Sequence, residues 1–430
     1  MESVPSVAGQ QLTDAELAWM KVPKAILAQH SPIPAVVISG RLAHCNRCSA
    51  DFAVAKQRLP SGAVYCPACI TMGRVTDNDR LWRFAAAPAV AKPIKMTWNG
   101  ALTSAQERVA AELVETYDAR STRLLWAVTG AGKTEMLFRV LERALSDGQR
   151  VAIVSPRIDV ILELAPRIGA AFASVALAVR YGESGPVPVT QLLLATVHQL
   201  LRYHKAFGLI IVDEVDAFPF SSDPMMELAV RNASAGSVIY LTATPGNRLL
   251  REVRRGRLAV SYLPRRFHGQ PLPVPRVRIM KQPAVVDAKV RAIISRVMKT
   301  SAKMLVFVPA VVHLRPVQQA LAQMGINSLT VHAGEPARKE RVNALRTGKV
   351  SVLVTTTILE RGVTFYNCGV VVLQADVPIF STSALVQMAG RAGRSREHPD
   401  DPVEFLCTNY TRTIHAAIQQ IKMLNRKDLP

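Results

Sequence analysis

From residue 98 onward the chain alternates short, uninterrupted apolar runs with stretches whose apolar residues recur at helical spacing. RLLWAV (123–128), RVAIVSP (150–156), QLLLATV (191–197), FGLIIVDE (207–214) and SVIYLTATP (237–245) are such runs. A strand buried on both faces reads as a continuous apolar run, and regular alternation with helices implies parallel βαβ units. A basic, Pro-rich stretch over 246–281 interrupts this texture. It then resumes in KMLVFVP (303–309), SLTVHAG (328–334), VSVLVTTT (350–357), GVVVLQAD (369–376) and VEFLCT (403–408). The pattern predicts an α/β protein of two lobes with parallel sheets, joined by a linker. The first hundred residues differ. One amphipathic helix is expected over 14–29, a turn-rich segment over 45–69, and an apolar, Pro-marked connector over 85–95. The predicted division is therefore 1–96, 97–265 and 266–430.

Length and charge sharpen the picture. At 430 residues the chain has room for two to four domains of roughly 150 residues each. Its 53 basic against 32 acidic residues leave a formal charge of +21. A polyanion is the natural partner, although an acidic membrane surface attracts the same charge. No stretch reaches the ~20 apolar residues of a membrane span, and Asp14 and Glu16 interrupt any apolar N-terminal core. A cytoplasmic protein is expected, with peripheral attachment at the inner face of the membrane as an option. Six cysteines are present, four of them in two CxxC pairs. In a reducing compartment that pattern means metal binding, not disulfides.

The strongest chemical signal is WAVTGAGKTE, which ends a predicted strand and opens a helix. Gly130 and Gly132 let backbone amides turn inward to phosphate with no Cβ in the way, and Thr129 and Ala131 complete the loop. Lys133 is placed to reach the β and γ phosphates of ATP, and Thr134 to ligate Mg²⁺. The strict pattern begins with Gly, whereas here Ala127 stands first. FGLIIVDEVDAF supplies the second half. Its buried strand places Asp213 at the carboxyl edge of the sheet to hold Mg²⁺ through water, and Glu214 to deprotonate the attacking water.

With these two motifs placed, the others fall in the order of a superfamily 2 helicase, which the chain resembles. LTSAQ looks like a Q motif, with Gln106 as adenine reader. Pro156 and Arg157 resemble motif Ia, and ATVHQLL, with Thr196, resembles the strand-contacting motif after it. TATP, with Thr242 and Thr244, resembles motif III, which together with Asp216 and Gln387 would couple ATP state to strand binding. TTTILERGVTF resembles motif V, implying DNA contacts from Thr356 and Arg361 and a nucleotide contact at Gly362. QMAGRAGRS resembles motif VI. Its Arg391 and Arg394 would meet the charge that develops on the γ-phosphate, a contribution worth roughly 10³–10⁵ in rate.

The strings WAVTGAGKTEML, SPRIDVILELAPR, ATVHQLLRYHKAF, IIVDEVDAFPF, LPRRFHGQPLPVP and QMAGRAGRS narrow the likeness. From about residue 41 onward the chain resembles the ComFA family, late-competence ATPases of transformable bacteria. The resemblance implies a cytosolic motor acting on incoming single-stranded DNA at the inner-membrane channel. It also implies a phosphoribosyltransferase-like partner of the ComFC type, and leaves room for a homo-oligomer. A PriA-like replication-restart helicase also combines such motifs with zinc, but there the metal element interrupts the core, whereas here all four cysteines precede the phosphate loop. A zinc-bearing adaptor with an inactive core is disfavoured by the intact Lys133, Asp213, Glu214, Arg391 and Arg394.

Cys45-x₂-Cys48 and Cys66-x₂-Cys69 are separated by 17 residues. Each pair can point two thiolates at one centre, and four satisfy tetrahedral Zn²⁺ in a closed, structural site. His44 is expected beside that site and not as a ligand. Cys368 and Cys407 read as core thiols. The arginines at 248, 251, 254, 255, 257, 265 and 266 suggest a nucleic-acid track. Residues 332–341 suggest a weaker phosphate contact. Trp82, Phe84 and Trp98 read as core rings before they read as stacking platforms.

Overall fold

In the computed structural model the described residues are 7–426, apart from 88–89, 183, 186, 282–285 and 362. They group into two units, one of residues up to 125 with 134–261, the other of 126–133 with residues from 262 on.

Every apolar run of the first set becomes a central strand. The first sheet has seven strands in the order Ala259–Leu263, Thr122–Ala127, Ser234–Thr242, Phe207–Val212, Val151–Ser155, Leu192–Thr196 and Leu177–Arg180. Phe207–Val212 pairs in parallel with Ser234–Thr242 and with Val151–Ser155, and Leu192–Thr196 with Val151–Ser155 and Leu177–Arg180. The two edge strands were not visible as apolar runs. Leu177–Arg180 and Ala259–Leu263 are each only partly buried, so neither needs a continuous apolar sequence.

The second unit holds a six-stranded sheet in the order Arg276–Ile279, Val403–Cys407, Cys368–Val372, Lys303–Phe307, Val352–Thr355 and Ser328–Val331. Its pairs are parallel throughout. Helices Ala288–Thr300 and Leu314–Ala322 bury Val290, Ile294, Val297, Leu314, Val317 and Leu321 in one core with Met304, Val306 and Val354. Full burial of such side chains stabilises by ~1.5–3 kcal/mol each.

Two sequence expectations need correction. The helix expected over 14–29 is two short helices, Asp14–Trp19 and Lys24–Leu27. Lys21 between them takes φ +53°, and Pro23 cannot sit inside a helix. The basic stretch over 246–281 is no plain linker. It contains the helix Asn247–Arg254 and the edge strands Ala259–Leu263 and Arg276–Ile279.

The N-terminal segment folds onto the first sheet. Strands Gln11–Thr13, Arg80–Arg83 and Ile33–Pro34 form one antiparallel sheet around Leu12, Leu17, Trp82 and Phe84. Val36–Ser39, Leu42–Cys45 and Asp51–Ala53 form another, which carries the first cysteine pair. The four cysteines belong to the same buried cluster as Leu193, Leu200, Ile210 and Met226. Gln11 Nε2 donates to the carbonyls of Arg47 and Leu201, both at 3.0 Å. The Arg150 guanidinium lies 5.0 Å from the Phe207 ring centroid and donates to the Ala8 carbonyl at 3.0 Å.

Candidate functional site

The phosphate loop follows the strand Thr122–Ala127 and leads into the helix Lys133–Ser146. Gly130 and Gly132 have φ of +80° and +74°, a region that L side chains adopt only at a cost of roughly 1–2 kcal/mol per residue. This is the conformational need that the two glycines signalled. Thr129, Ala131 and Thr134 are buried. Lys133 is the first residue of the helix. The Gly130 carbonyl accepts the Phe267 amide at 3.0 Å, and the Thr129 hydroxyl donates to the Gly390 carbonyl at 3.4 Å.

Strands Phe207–Val212 and Ser234–Thr242 lie side by side, so their carboxyl ends present Asp213, Glu214, Thr242 and Thr244 together. The Asp213 amide donates to the Val154 carbonyl at 2.7 Å, and its Oδ1 accepts the Glu214 amide at 2.9 Å. Glu214 adopts φ +56° although it is no glycine. The same backbone region is taken by Lys21 in a turn between helices, but at Glu214 it falls at the strand end beside Asp213, where strain often accompanies a functional site. Two residues on, Asp216 accepts from both motif III hydroxyls. Thr242 Oγ1 reaches Oδ1 at 2.6 Å, and Thr244 Oγ1 makes a short bond to Oδ2. Thr242 Oγ1 also accepts the Thr244 amide at 2.9 Å. The loop after Asp213 and Glu214 is thereby clasped to the neighbouring strand end. Asp216→Ala is expected to lower the nucleic-acid-stimulated hydrolysis rate by about ten- to a hundredfold, the equivalent of one or two charge-assisted hydrogen bonds. A stimulated rate equal to wild type would make the clasp purely structural.

Motif VI begins with the helix Thr382–Ala389, capped by the Ser381 hydroxyl. Gly390 follows, and a Cβ there would stand 1.9 Å from Thr129 Oγ1, so only glycine fits. Arg391 is buried and donates to the Glu360 carbonyl at 2.8 and 2.6 Å and, by a short bond, to the Val363 carbonyl. Arg394 donates to the Gly390 carbonyl at 3.1 Å and to Thr364 Oγ1 at 2.9 Å. Both arginines are thus held by the segment that follows Glu360. Arg361 is buried as well, donating to Ser383 Oγ at 3.1 Å, and Gln387 is buried on the same helix. Gly362 lies outside the described residues. Thr356 and Thr196 are half-buried, each immediately before a short 3₁₀ turn. Pro156 and Arg157 are half-buried, with the Arg157 guanidinium 3.6 Å from Asp159. Gln106 closes a capping box, its Oε1 accepting the Thr103 amide at 2.8 Å.

The four cysteine sulfurs are buried and lie within 4.8 Å of one another. Cys45 Sγ is 3.8 Å from Cys69 Sγ, and Cys48 Sγ is 3.5 Å from Cys66 Sγ. A tetrahedron with Zn–S bonds of ~2.3 Å has edges of about 3.8 Å, so the donor set fits that ion. Hydrogen bonding within this tightly coupled cluster pushes the Cys45 thiol below the ordinary thiol range and the Cys69 thiol above it. His44 turns away to Asp51, Nδ1 to Oδ1 at 2.7 Å. Arg47, inside the first knuckle, is 1% exposed. Burial lowers its pKa, while the neighbouring thiolates work to raise it. It donates to Glu16 at 2.9 Å, and Glu16 also takes Arg202 in a short bond.

Comparison with known proteins decides the family. Residues 99–247 match the family described as type III restriction enzyme, res subunit, and residues 288–396 match the helicase conserved C-terminal domain. The Bacillus subtilis competence protein ComFA is 38% identical over 96% of this chain and 91% of its own length. The chain belongs to the ComFA family. The ComFA of Streptococcus pneumoniae is also 38% identical, over 89% of this chain and 90% of its own. Among solved structures, Saccharomyces cerevisiae Dbp5 bound to RNA and ADP-BeF₃ superposes with a TM-score of 0.57 at 13% identity, covering 76% of this chain and 88% of that one. That likeness shows the fold alone. The ComFA member described here is therefore an ATP-dependent nucleic-acid enzyme of the superfamily 2 helicase type, with two RecA-like lobes and an N-terminal four-cysteine cluster. Among its described residues no helix is long and apolar enough to cross a membrane.

Sequence reasoning missed several supporting residues of this ComFA chain. Arg266 is 2% exposed and donates to the Gly393 carbonyl by a short bond. Burial pushes its pKa down to about 10, with Asp401 opposing. Asp401, also buried, accepts the Gly393 amide at 3.2 Å, the Cys368 amide at 2.9 Å and the Ser301 hydroxyl at 2.8 Å. Together they fix the turn between the two motif VI arginines. Arg266 had read only as one of a run of basic residues, and nothing near Asp401 in the chain marks it as special.

Proposed function

We propose that this chain is a single-stranded-DNA-stimulated ATPase that translocates on the strand and powers import of transforming DNA into the cytosol. The observation that carries the reading is family membership over nearly the whole chain, combined with an intact set of Lys133, Asp213, Glu214, Arg391 and Arg394. In this reading Thr129 to Thr134 hold the phosphates of ATP and its Mg²⁺ together with Asp213, and Gln106 and Gly362 contact the nucleotide. Glu214 removes the proton from the attacking water, and Arg391 and Arg394 offset the charge that develops on the γ-phosphate. Asp216, Thr242, Thr244 and Gln387 pass the state of the nucleotide to the strand, which Pro156, Arg157, Thr196, Thr356 and Arg361 help to hold. Zn²⁺ on the four cysteines is structural. The partners are a ComFC-like phosphoribosyltransferase-fold protein and the inner-membrane DNA channel, met at the cytoplasmic face, with self-association as a further option.

The basic surface supports a polyanion as substrate. Arg248, Arg251, Arg254, Arg255 and Arg257 are all exposed, although Arg248 pairs with Glu227 and Arg257 with Glu252. Binding to a single strand should weaken with salt at a log–log slope near −0.7 per phosphate contacted. A flat response in a salt titration would remove the electrostatic track.

The deciding experiment is ATP hydrolysis by the purified protein with no nucleic acid, single-stranded DNA, duplex DNA and single-stranded RNA. Stimulation by single-stranded DNA above the others is the expected result. Equal stimulation by RNA would keep the motor and remove DNA uptake. No hydrolysis under any condition would remove the ATPase.

A further inference from the structure

Phe218 is 79% exposed, the highest value for any large apolar side chain among the described residues. Leaving a phenylalanine in water forgoes ~1.5–3 kcal/mol that burial would supply. The loop that carries it is well ordered by hydrogen bonds. The Ala217 amide donates to the Glu214 carbonyl at 2.8 Å, the Ser221 amide to the Ala217 carbonyl at 3.1 Å, and the Asp223 amide to the Pro219 carbonyl at 2.9 Å. Phe220, two residues on, is buried with its ring centroid 6.1 Å from that of Tyr240. The loop therefore chooses which phenylalanine to bury, and it holds the other outward.

The surroundings select a ligand class. Ala217 and Phe220 are buried and Ser221 and Ser222 are exposed, so these neighbours add no apolar patch of the kind a protein partner needs. A lone π-face suits a nucleobase, which stacks regardless of its identity. The helix that follows the loop is tied to a cationic one. Asp223 caps the helix Pro224–Ala233, whose first turn carries Glu227, and Glu227 is ion-paired with Arg248. Arg248 opens the exposed face that continues through Arg251, Arg254 and Arg255. An exposed aromatic ring on a hydrogen-bonded loop, together with exposed arginines, is the combination that grips single strands without reading sequence. We infer that Phe218 is a base-stacking contact for single-stranded nucleic acid, carried on the loop between the Glu214 turn and the helix Pro224–Ala233. The inference rests on the proposed function. It deepens that reading by placing a strand contact four residues from the proposed general base, on the loop that Asp216 clasps to motif III.

The test uses the full-length protein with Phe218 replaced by Ala, Leu, Tyr or Trp, and oligo(dT) as the strand. For Ala and Leu the oligo(dT) concentration that half-saturates ATPase stimulation should rise roughly 5- to 100-fold, the loss of one base–aromatic stack. Tyr and Trp, which keep a π-face, should stay near wild type, and oligo(dT) should quench F218W emission beyond any change in the wild type. Because the side chain is exposed, thermal unfolding should match wild type in all four variants. A Leu variant that equals wild type, or an unquenched F218W, overturns the inference. If the wild type responds to oligo(dT) and F218A responds equally, only this inference falls. If the wild type ignores every strand, the proposed function falls with it.

Discussion

Lys133→Ala is expected to lower ATP turnover by about 10²–10³-fold or more, with affinity for single-stranded DNA nearly unchanged. The loss follows from what the loop can supply without the lysine. Helix Lys133–Ser146 offers amides and a partial positive charge at its start, and Gly130 and Gly132 hold the loop in the left-handed backbone it needs. In the proposed function those groups bind ground-state phosphate. The ammonium, in the same proposed function, is a full charge that reaches the transferring group, where charge is redistributed during reaction, so its removal falls on turnover. Strand affinity in that proposal comes from elsewhere, from exposed arginines such as Arg251 and Arg254 on the helix Asn247–Arg254 and Arg255 at its end. Turnover with saturating oligonucleotide and a separate binding isotherm at fixed salt would check both halves. Retained hydrolysis would move the phosphate site away from 129–134.

Replacing Cys45 and Cys48 together by Ser is expected to abolish bound zinc and to weaken more than the N-terminal segment. The metal should be present at one ion per chain in the wild type by elemental analysis. Structural zinc contributes on the order of 10 kcal/mol to folding of the element that holds it, because no such site exists in the unfolded chain. Here the cysteines share a buried cluster with Leu200, Phe207 and Ile210, and Gln11 and Arg47 both donate to the Leu201 carbonyl. Four thiolates around one divalent cation leave net negative charge, which the buried Arg47 partly offsets. With the ion gone, that guanidinium is left in a buried place whose charge balance has changed. Hydrogen exchange should accordingly rise at 197–202, far along the chain from the substituted residues. Protection unchanged at 197–202 would show that the element folds independently. A wild-type protein without zinc would end the metal assignment itself.

The lobes and the reactive loops were legible in the sequence because their signals are local. A strand covered on both faces must be apolar at every position, so Phe207–Val212 and Cys368–Val372 stand out in the bare sequence. A loop that needs φ above zero calls for glycine, hence Gly130 and Gly132. Two CxxC pairs announce a tetrahedral centre because a knuckle of that spacing can present both thiols to one ion. Some local signals carried two meanings. Thr103 and Gln106 form a capping box in the structure, an arrangement the same letters LTSAQ also encode.

Other features depended on partners far away in the chain. The edge strands Leu177–Arg180 and Ala259–Leu263 are defined by their neighbours in the sheet, since partial exposure removes the apolar run that marks a central strand. Glu214 gave no hint of its left-handed backbone, and Asp216 finds its two hydroxyls 26 and 28 residues on. Arg47 is tied to a carbonyl 154 residues away, and Arg266 to one 127 residues away. Phe218 and Phe220 are indistinguishable as letters, yet one is buried and the other faces water. By itself the sequence determined the fold class, the glycine-bearing loop between strand and helix, the carboxylates at the strand end and the cysteine cluster, all of which rest on backbone conformation or spacing within a few residues. Tertiary structure alone decided which charges are buried, what holds motif VI in place and which aromatic ring faces water. Burial and long-range hydrogen bonds are properties of the packed chain, and no window of neighbouring residues contains them.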